Sequence, residues 1–248
     1  MPDCFFAKSP TPMKLITQII GLFLLLVLFD IGRYWFVPDV KELQENNPEK
    51  TAFMQYRERQ WEIEGDEKTI SKDWVPLTRI SRYVQDAVLI SEDDKFWEHD
   101  GFDYGAIELA IEKNIEKRRF AFGASTITQQ LAKNLYLSPS KNPVRKIKEA
   151  ILTWRLERSL SKKRILELYL NVVEWGDGIF GIEKAALYYY GKRARSLTAR
   201  QAARLAAVLP NPRKYTPESA SPYVRRKAER IYRIMRKRGV VSFVKPGS

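Results

Sequence analysis

Glu92 ends an apolar helical pattern and opens an acidic run, Ser91-Glu92-Asp93-Asp94-Lys95-Phe96-Trp97-Glu98-His99-Asp100-Gly101. The run holds five acidic residues and the chain's one histidine. A carboxylate fixed at a helix end and backed by Phe96 and Trp97 is partly desolvated, a setting that suits acid or base chemistry. The same residues suit a solvated acidic turn, and the local pattern leaves both readings open. His99 fits a hydrogen bond within the loop better than a metal site. With one histidine and one cysteine, Cys4, a metal would have to rest on carboxylates and carbonyls, which suits hard cations.

Three further stretches carry chemistry. Gly123-Ala124-Ser125-Thr126-Ile127-Thr128-Gln129-Gln130-Leu131-Ala132-Lys133-Asn134 places small residues before a helix start, where backbone N–H groups favour anions. Gln129 and Lys133 share one helical face, and so do Gln130 and Asn134. Amides beside an ammonium suit a sugar and a phosphate, although a capped amphipathic helix would read the same way. In Arg145-Lys146-Ile147-Lys148-Glu149, Glu149 follows Arg145 by four and Lys146 by three. That spacing fits either a surface ion pair of well under ~1 kcal/mol or a carboxylate held ionised by phosphate-binding cations. Lys162-Lys163-Arg164-Ile165-Leu166-Glu167-Leu168-Tyr169-Leu170-Asn171 offers Lys162 and Asn171 for a site or for packing around one. Ser159 to Lys162 and Ser138 to Lys141 match Ser-x-x-Lys, but the companion motifs of a penicillin-reactive serine enzyme are missing.

Helices must position these groups. Ile80, Tyr83, Val84, Ala87 and Val88 follow helical spacing, as do Ile107, Ile111 and Ile115 before the basic run Lys117-Arg118-Arg119. Thr126 with Gln129 reads as a capping box ahead of Ile127, Leu131 and Leu135. Val144, Ile147, Ile151 and Trp154 mark the next helix, and Ile165, Leu168, Tyr169, Val172 and Val173 another, stopped by Gly176 and Gly178. Thr198 and Gln201 cap a helix that Pro210 ends. Ser221 and Pro222 open a last, strongly basic one that Gly239 closes, with Val224, Ala228, Ile231 and Met235 as its stripe. Alternating strand patterns are lacking, so the expected class is mostly α.

The chain of 248 residues carries 43 Lys and Arg against 30 Asp and Glu, a formal charge of +13, which points to an anionic partner. Residues 15–37 are long and apolar enough for a bilayer-spanning anchor, with Tyr34, Trp35 and Phe36 as an interfacial belt. A cleaved signal peptide is the alternative, but bulky residues follow the run instead of a small-residue cleavage site. Lys8 and Lys14 precede it, which favours a cytoplasmic tail. The expected organisation is a tail (1–14), an anchor (15–37), a juxtamembrane linker (38–50), one domain (51–240) and a C-terminal tail (241–248).

In this order the stretches resemble the family 51 glycosyltransferases of peptidoglycan synthesis. The matches are Glu92-Asp93-x-x-Phe96-x-x-His99-x-Gly101, Gly123-x-Ser125-Thr126-Ile127-x-Gln129-Gln130-x-x-Lys133-Asn134, Arg145-Lys146-x-x-Glu149, and Lys162-x-x-Ile165-Leu166-Glu167-x-Tyr169-x-Asn171. Ala203-x-x-Ala206 with Pro210 looks like a fifth. Coverage runs from about Thr51 to Tyr215, and the resemblance is closest to monofunctional, membrane-anchored members, without a transpeptidase domain. It implies a lysozyme-like, mostly helical domain behind a single N-terminal transmembrane helix, facing the periplasmic or extracellular side of the bacterial cytoplasmic membrane.

The implied reaction polymerises lipid II into β-1,4 glycan with inversion and releases undecaprenyl pyrophosphate. Glu92 would be the general base and Glu149 its catalytic partner. Asp93, Ser125, Thr126, Gln129, Gln130, Lys133, Asn134, Arg145, Lys146 and Lys162 would bind substrate. Phe96, His99, Gly101, Glu167, Tyr169 and Asn171 would shape the site. No cofactor is obligatory, with room for a divalent cation, Mg²⁺ or Mn²⁺, at the pyrophosphate. The implied partners are lipid II, the growing strand, membrane lipids and other cell wall synthesis proteins, with no nucleic acid. The segment between the first two motifs would lie near the membrane, with Phe102, Tyr104, Phe120 and Phe122 beside the basic run. A lytic transglycosylase or muramidase would need an acid but no pyrophosphate site, so the basic residues speak against it. A basic scaffold protein would explain the charge but not the ordered Glu92 and Glu149 motifs.

Overall fold

The computed structural model describes residues 12–70, 72–117, 123–140 and 142–241. Cys4, Lys8, Arg118, Arg119, Phe120, Phe122, Lys141 and residues 242–248, all invoked above, lie outside the described residues.

The described chain is mostly helical. Helix α1 (Pro12–Gly32) is followed by short 3₁₀ turns at Arg33–Trp35 and Val40–Gln44, then α2 (Ala52–Glu64), α3 (Arg82–Glu92), α4 (Tyr104–Glu116), α5 (Ile127–Tyr136), α6 (Pro143–Ser159) and α7 (Lys162–Val172). An antiparallel pair, β1 (Glu174–Gly176) and β2 (Ile179–Phe180), leads to α8 (Ile182–Tyr190), α9 (Ala199–Val208) and α10 (Pro222–Lys237). The hairpin escapes a period-two search because its strands have three and two residues, all buried, so neither alternates.

Both expected capping boxes form. Thr126 accepts from the Gln129 amide while Gln129 accepts from that of Thr126, and Thr198 and Gln201 do the same. Helix α5 packs between α6 and α7 and against α2, and α3 packs against α9 and α10. Leu131, Leu152, Leu156, Ile165, Tyr169, Val84 and Val88 are among the fully buried residues of one continuous core. On α6 the buried residues are Glu149, Ile151, Leu152, Thr153 and Leu156, with Ile151 in the core as expected and a stripe at i, i+3, i+4 and i+7 from Glu149. Ile147 and Trp154, expected on the core side, are exposed.

Helix α1 is long and apolar enough to cross a membrane, and none of its most apolar window is buried in the structure. Its end is docked. Lys148 pairs with Asp30, and the Arg155 guanidinium donates to the carbonyls of Tyr34 at 2.9 Å and Phe36 at 3.1 Å. Trp35 meets Trp154 edge-on at 5.4 Å. The segment 38–50, expected as a linker, also packs into the domain. Val40 and Leu43 are buried. Gln44 donates to the Ser159 carbonyl at 2.7 Å, and Arg164 gathers the carbonyls of Leu43 and Asn46 and the side chain of Asn47. Its Pro and Asn residues read as a linker because these contacts depend on an arginine more than a hundred residues away.

Candidate active site

Glu92 is the last residue of α3 and is about one-tenth exposed. Its Oε1 accepts from Ser91 Oγ at 2.7 Å and faces Lys227 Nζ at 3.6 Å. Its Oε2 accepts from Gln130 Nε2 at 3.1 Å. The Gln130 amide is oriented from behind, because the Tyr169 hydroxyl donates to its Oε1 at 3.1 Å. That bond fixes which end of the amide is the donor. Tyr169 is wholly buried, and burial, with Glu92 and Asp93 nearby, pushes its hydroxyl well above the ordinary tyrosine range. It therefore stays protonated and can keep donating. Polar partners thus surround a carboxylate expected to be backed by Phe96 and Trp97. Phe96 is a core residue, and Trp97 is half exposed on a separate groove.

The loop after Glu92 is tied down by the other members of its motif. The Gly101 amide donates to His99 Nδ1 at 3.1 Å, so the ring proton sits on Nε2, which bonds Asp93 Oδ1 at 2.9 Å. Asp93 Oδ2 accepts from the Ile127 amide at 2.9 Å, at the start of α5. The Thr126 hydroxyl closes the circuit by donating to the Gly101 carbonyl at 2.7 Å. Gly101 has φ of 90°, and a Cβ there would stand 2.8 Å from Thr153 Cγ2 and 2.9 Å from Glu157 Cγ. Glycine is needed both for the backbone and for the close approach of α6.

The second carboxylate, Glu149, is only 3% exposed. One oxygen pairs with Arg145 and the other with Lys146, so this is a buried ion cluster and not the surface pair its spacing also allowed. Lys146 also reaches Ser125 Oγ at 3.4 Å. The Lys133 ammonium feels the charges of both carboxylates, Glu149 and Glu92, and of Arg145 and Lys146. Burial holds its pKa below the ordinary lysine range. Gln130 and Lys133 come from α5, Arg145, Lys146 and Glu149 from the first turns of α6, and Ser125 from the loop between. Packing of α5 on α6 therefore brings the second and third motifs together beside Glu92.

Several residues expected to touch substrate also have partners within the protein. Asp93 joins the first motif loop to α5, and Thr126 and Gln129 are consumed by the capping box. Lys162 Nζ pairs with Glu157 at 2.8 Å and lies over the Phe96 ring at 4.6 Å. Asn134 is buried. Spacing put these on plausible faces, and for Asp93, Thr126 and Gln129 the partners found are backbone amides. Glu167 accepts from the Leu77 amide, and Asn171 both accepts from and donates to the Val75 backbone, so α7 straps the extended segment ahead of α3.

Motif reading did not single out Lys227, whose ammonium faces Glu92. It sits three after Val224 and four before Ile231, inside the buried stripe of α10. A cation within an apolar stripe was the available signal. Burial lowers its pKa, and Glu92 pulls it back up.

Comparison with known proteins supplies the remaining observation. The family profile described as Transglycosylase matches residues 60–236. A protein of Methylobacillus flagellatus named biosynthetic peptidoglycan transglycosylase is 45% identical over 216 residues, covering 87% of this chain and 94% of its own. Proteins of the same name from Azoarcus sp. (46% identical; 86% and 90% covered) and Chromobacterium violaceum (42%; 90% and 95%) are similar to the same extent.

Proposed function

Because the chain belongs to the transglycosylase family, and is thus a lysozyme-like peptidoglycan glycosyltransferase of cell wall biogenesis, we propose that its substrate is lipid II. It joins donor to acceptor with inversion and releases undecaprenyl pyrophosphate. The carrying observation is the pairing of one hydrogen-bonded carboxylate, Glu92, with a cation cluster at Lys133, Arg145 and Lys146, the last of these lying two residues along α6 from Lys148, which contacts α1.

Glu92 takes the proton from the 4-hydroxyl of the acceptor N-acetylglucosamine. Among the described residues its Oε2 has one hydrogen-bond partner, Gln130, which leaves a lone pair to receive the hydroxyl. The oxygen attacks C1 of the donor N-acetylmuramic acid, and the pyrophosphate departs from the opposite face. That leaving group needs charge stabilisation more than a proton, and Lys133, Arg145 and Lys146 supply it. Glu149 positions the last two. Among the described residues no three or more His, Cys, Asp or Glu gather as a metal site, and both Glu149 oxygens already face cations. These residues do not form a Mg²⁺ or Mn²⁺ cage, and no step here runs through one.

A lipid-linked substrate fits the placement of this site. Asp30, near the end of α1, pairs with Lys148, next to Glu149. Helix α4 buries none of its residues, and Tyr104, Leu109, Ile111 and Ile115 are exposed, as an interfacial surface would require. The enzyme would be a single-pass protein of the bacterial cytoplasmic membrane with its domain outside, working beside other cell wall synthesis proteins.

The test gives labelled lipid II to the purified protein and to Glu92→Gln. The wild type should build a glycan ladder, and the variant should lose at least about 10²-fold in rate. A wild type inactive across detergents and divalent ions, or a fully active variant, sinks the reading. Shortening of preformed glycan would instead indicate a lytic enzyme.

A further inference from the structure

A groove of about 870 Å³ is lined by neither carboxylate of the active site nor by its cations. It runs along the face of α3 that carries Arg82, Gln85, Asp86 and Leu89, and is bounded by Trp97 and the start of α7. We propose that it is an accessory saccharide subsite that takes N-acetylhexosamine units of a glycan strand. This rests on the reading of the chain as a glycan polymerase.

Three features select that ligand. The Trp97 indole is half exposed and is held edge-on against the fully buried Phe96 at 5.0 Å. A fixed, open indole offers the flat apolar platform on which the C–H face of a sugar ring stacks. Asp86 Oδ2 is buried and has no close hydrogen bond, only a long ion pair with Arg82 Nε at 3.6 Å. A buried acceptor in that state is costly unless a ligand hydroxyl or amide N–H meets it. By contrast, Gln85 and Glu167 already direct their hydrogen bonds to the backbone of residues 77–80. The volume is that of a small-molecule site with few convergent polar groups. Trp97 lies five residues beyond Glu92 on the loop that the first motif fixes, so a strand held there stays close to the enzyme between additions.

The experiment uses the full chain in detergent micelles with chitotetraose, followed by saturation-transfer NMR. The wild type should bind. Trp97→Ala should weaken binding roughly tenfold, the scale of one aromatic stacking contact. Trp97→Tyr should keep most of it, and Asp86→Leu should weaken it. Thermal melts should match the wild type, which separates a lost platform from a lost fold. With lipid II, Trp97→Ala should consume substrate at the wild-type rate within about twofold yet yield shorter strands. Equal chitotetraose binding by wild type and both variants overturns the proposal, as does binding of an acidic peptide in place of the sugar. If the wild type polymerises lipid II while its groove ignores the sugar, only this inference falls. If it polymerises nothing, the functional reading falls and takes the subsite with it.

Discussion

At the residue scale, Glu92, the proposed base, is defined by what holds it. The path Tyr169 to Gln130 to Glu92 keeps an amide N–H aimed at one carboxylate oxygen, and Ser91 and Lys227 attend the other. Tyr169→Phe removes only the bond that orients Gln130. The expected outcome is a fall in kcat of about three- to tenfold, the worth of one neutral hydrogen bond, with KM nearly unchanged. Steady-state lipid II kinetics would show it, and a change confined to KM would refute the positioning role. Lys133 supplies a pH test. Burial lowers its pKa, so as pH rises its charge is lost before that of an ordinary lysine. kcat/KM should therefore show an alkaline limb below the usual lysine range. Lys133→Arg should move that limb upward, because a guanidinium stays charged.

At the element scale, side-chain circuits join helices whose individual stability is modest. The Asp93, His99, Gly101 and Thr126 circuit ties the end of α3 to the start of α5, and Gly101 lets α6 approach. Gly101→Ala meets both a positive φ and two side chains under 3 Å away. It should cost about 2–4 kcal/mol, readable as a lowered Tm with lowered activity. Much of this was legible in the chain. Thr126 and Gln129 announced a cap, and the apolar stripes of α3, α5 and α7 gave their buried faces. The illegible parts depend on partners distant in sequence. Whether Asp93 binds sugar or the Ile127 amide is not a property of its neighbours. Ile147 and Trp154 kept helical spacing yet are exposed, and Trp154 meets Trp35, a residue more than a hundred positions away. Lys227 was hidden by the surrounding basic residues of α10.

At the scale of the whole molecule, the apolar helix and the catalytic cluster share one support, α6. Its first turns hold Arg145, Lys146 and Glu149, and its middle holds the end of α1 through Lys148, Trp154 and Arg155. A helix rises about 1.5 Å per residue, so the cation cluster stands within roughly one turn of the Asp30 contact. An anchor that only tethered the domain would leave the height of that cluster above the bilayer to thermal motion. A docked anchor fixes it, and under the proposed reaction that is the depth at which the pyrophosphate of a lipid-linked donor would lie. Arg155→Met removes two bonds to the backbone of residues 34–36 but no group of the active site. Its effect should depend on the medium. In liposomes, kcat/KM for lipid II should fall about fivefold or more, because the site no longer meets its substrate at a set depth. In detergent micelles, which impose no plane, activity should stay within about twofold of wild type, with a Tm change of a few degrees. Equal losses in both media would mean that Arg155 serves the fold alone, and that the anchor is a tether after all.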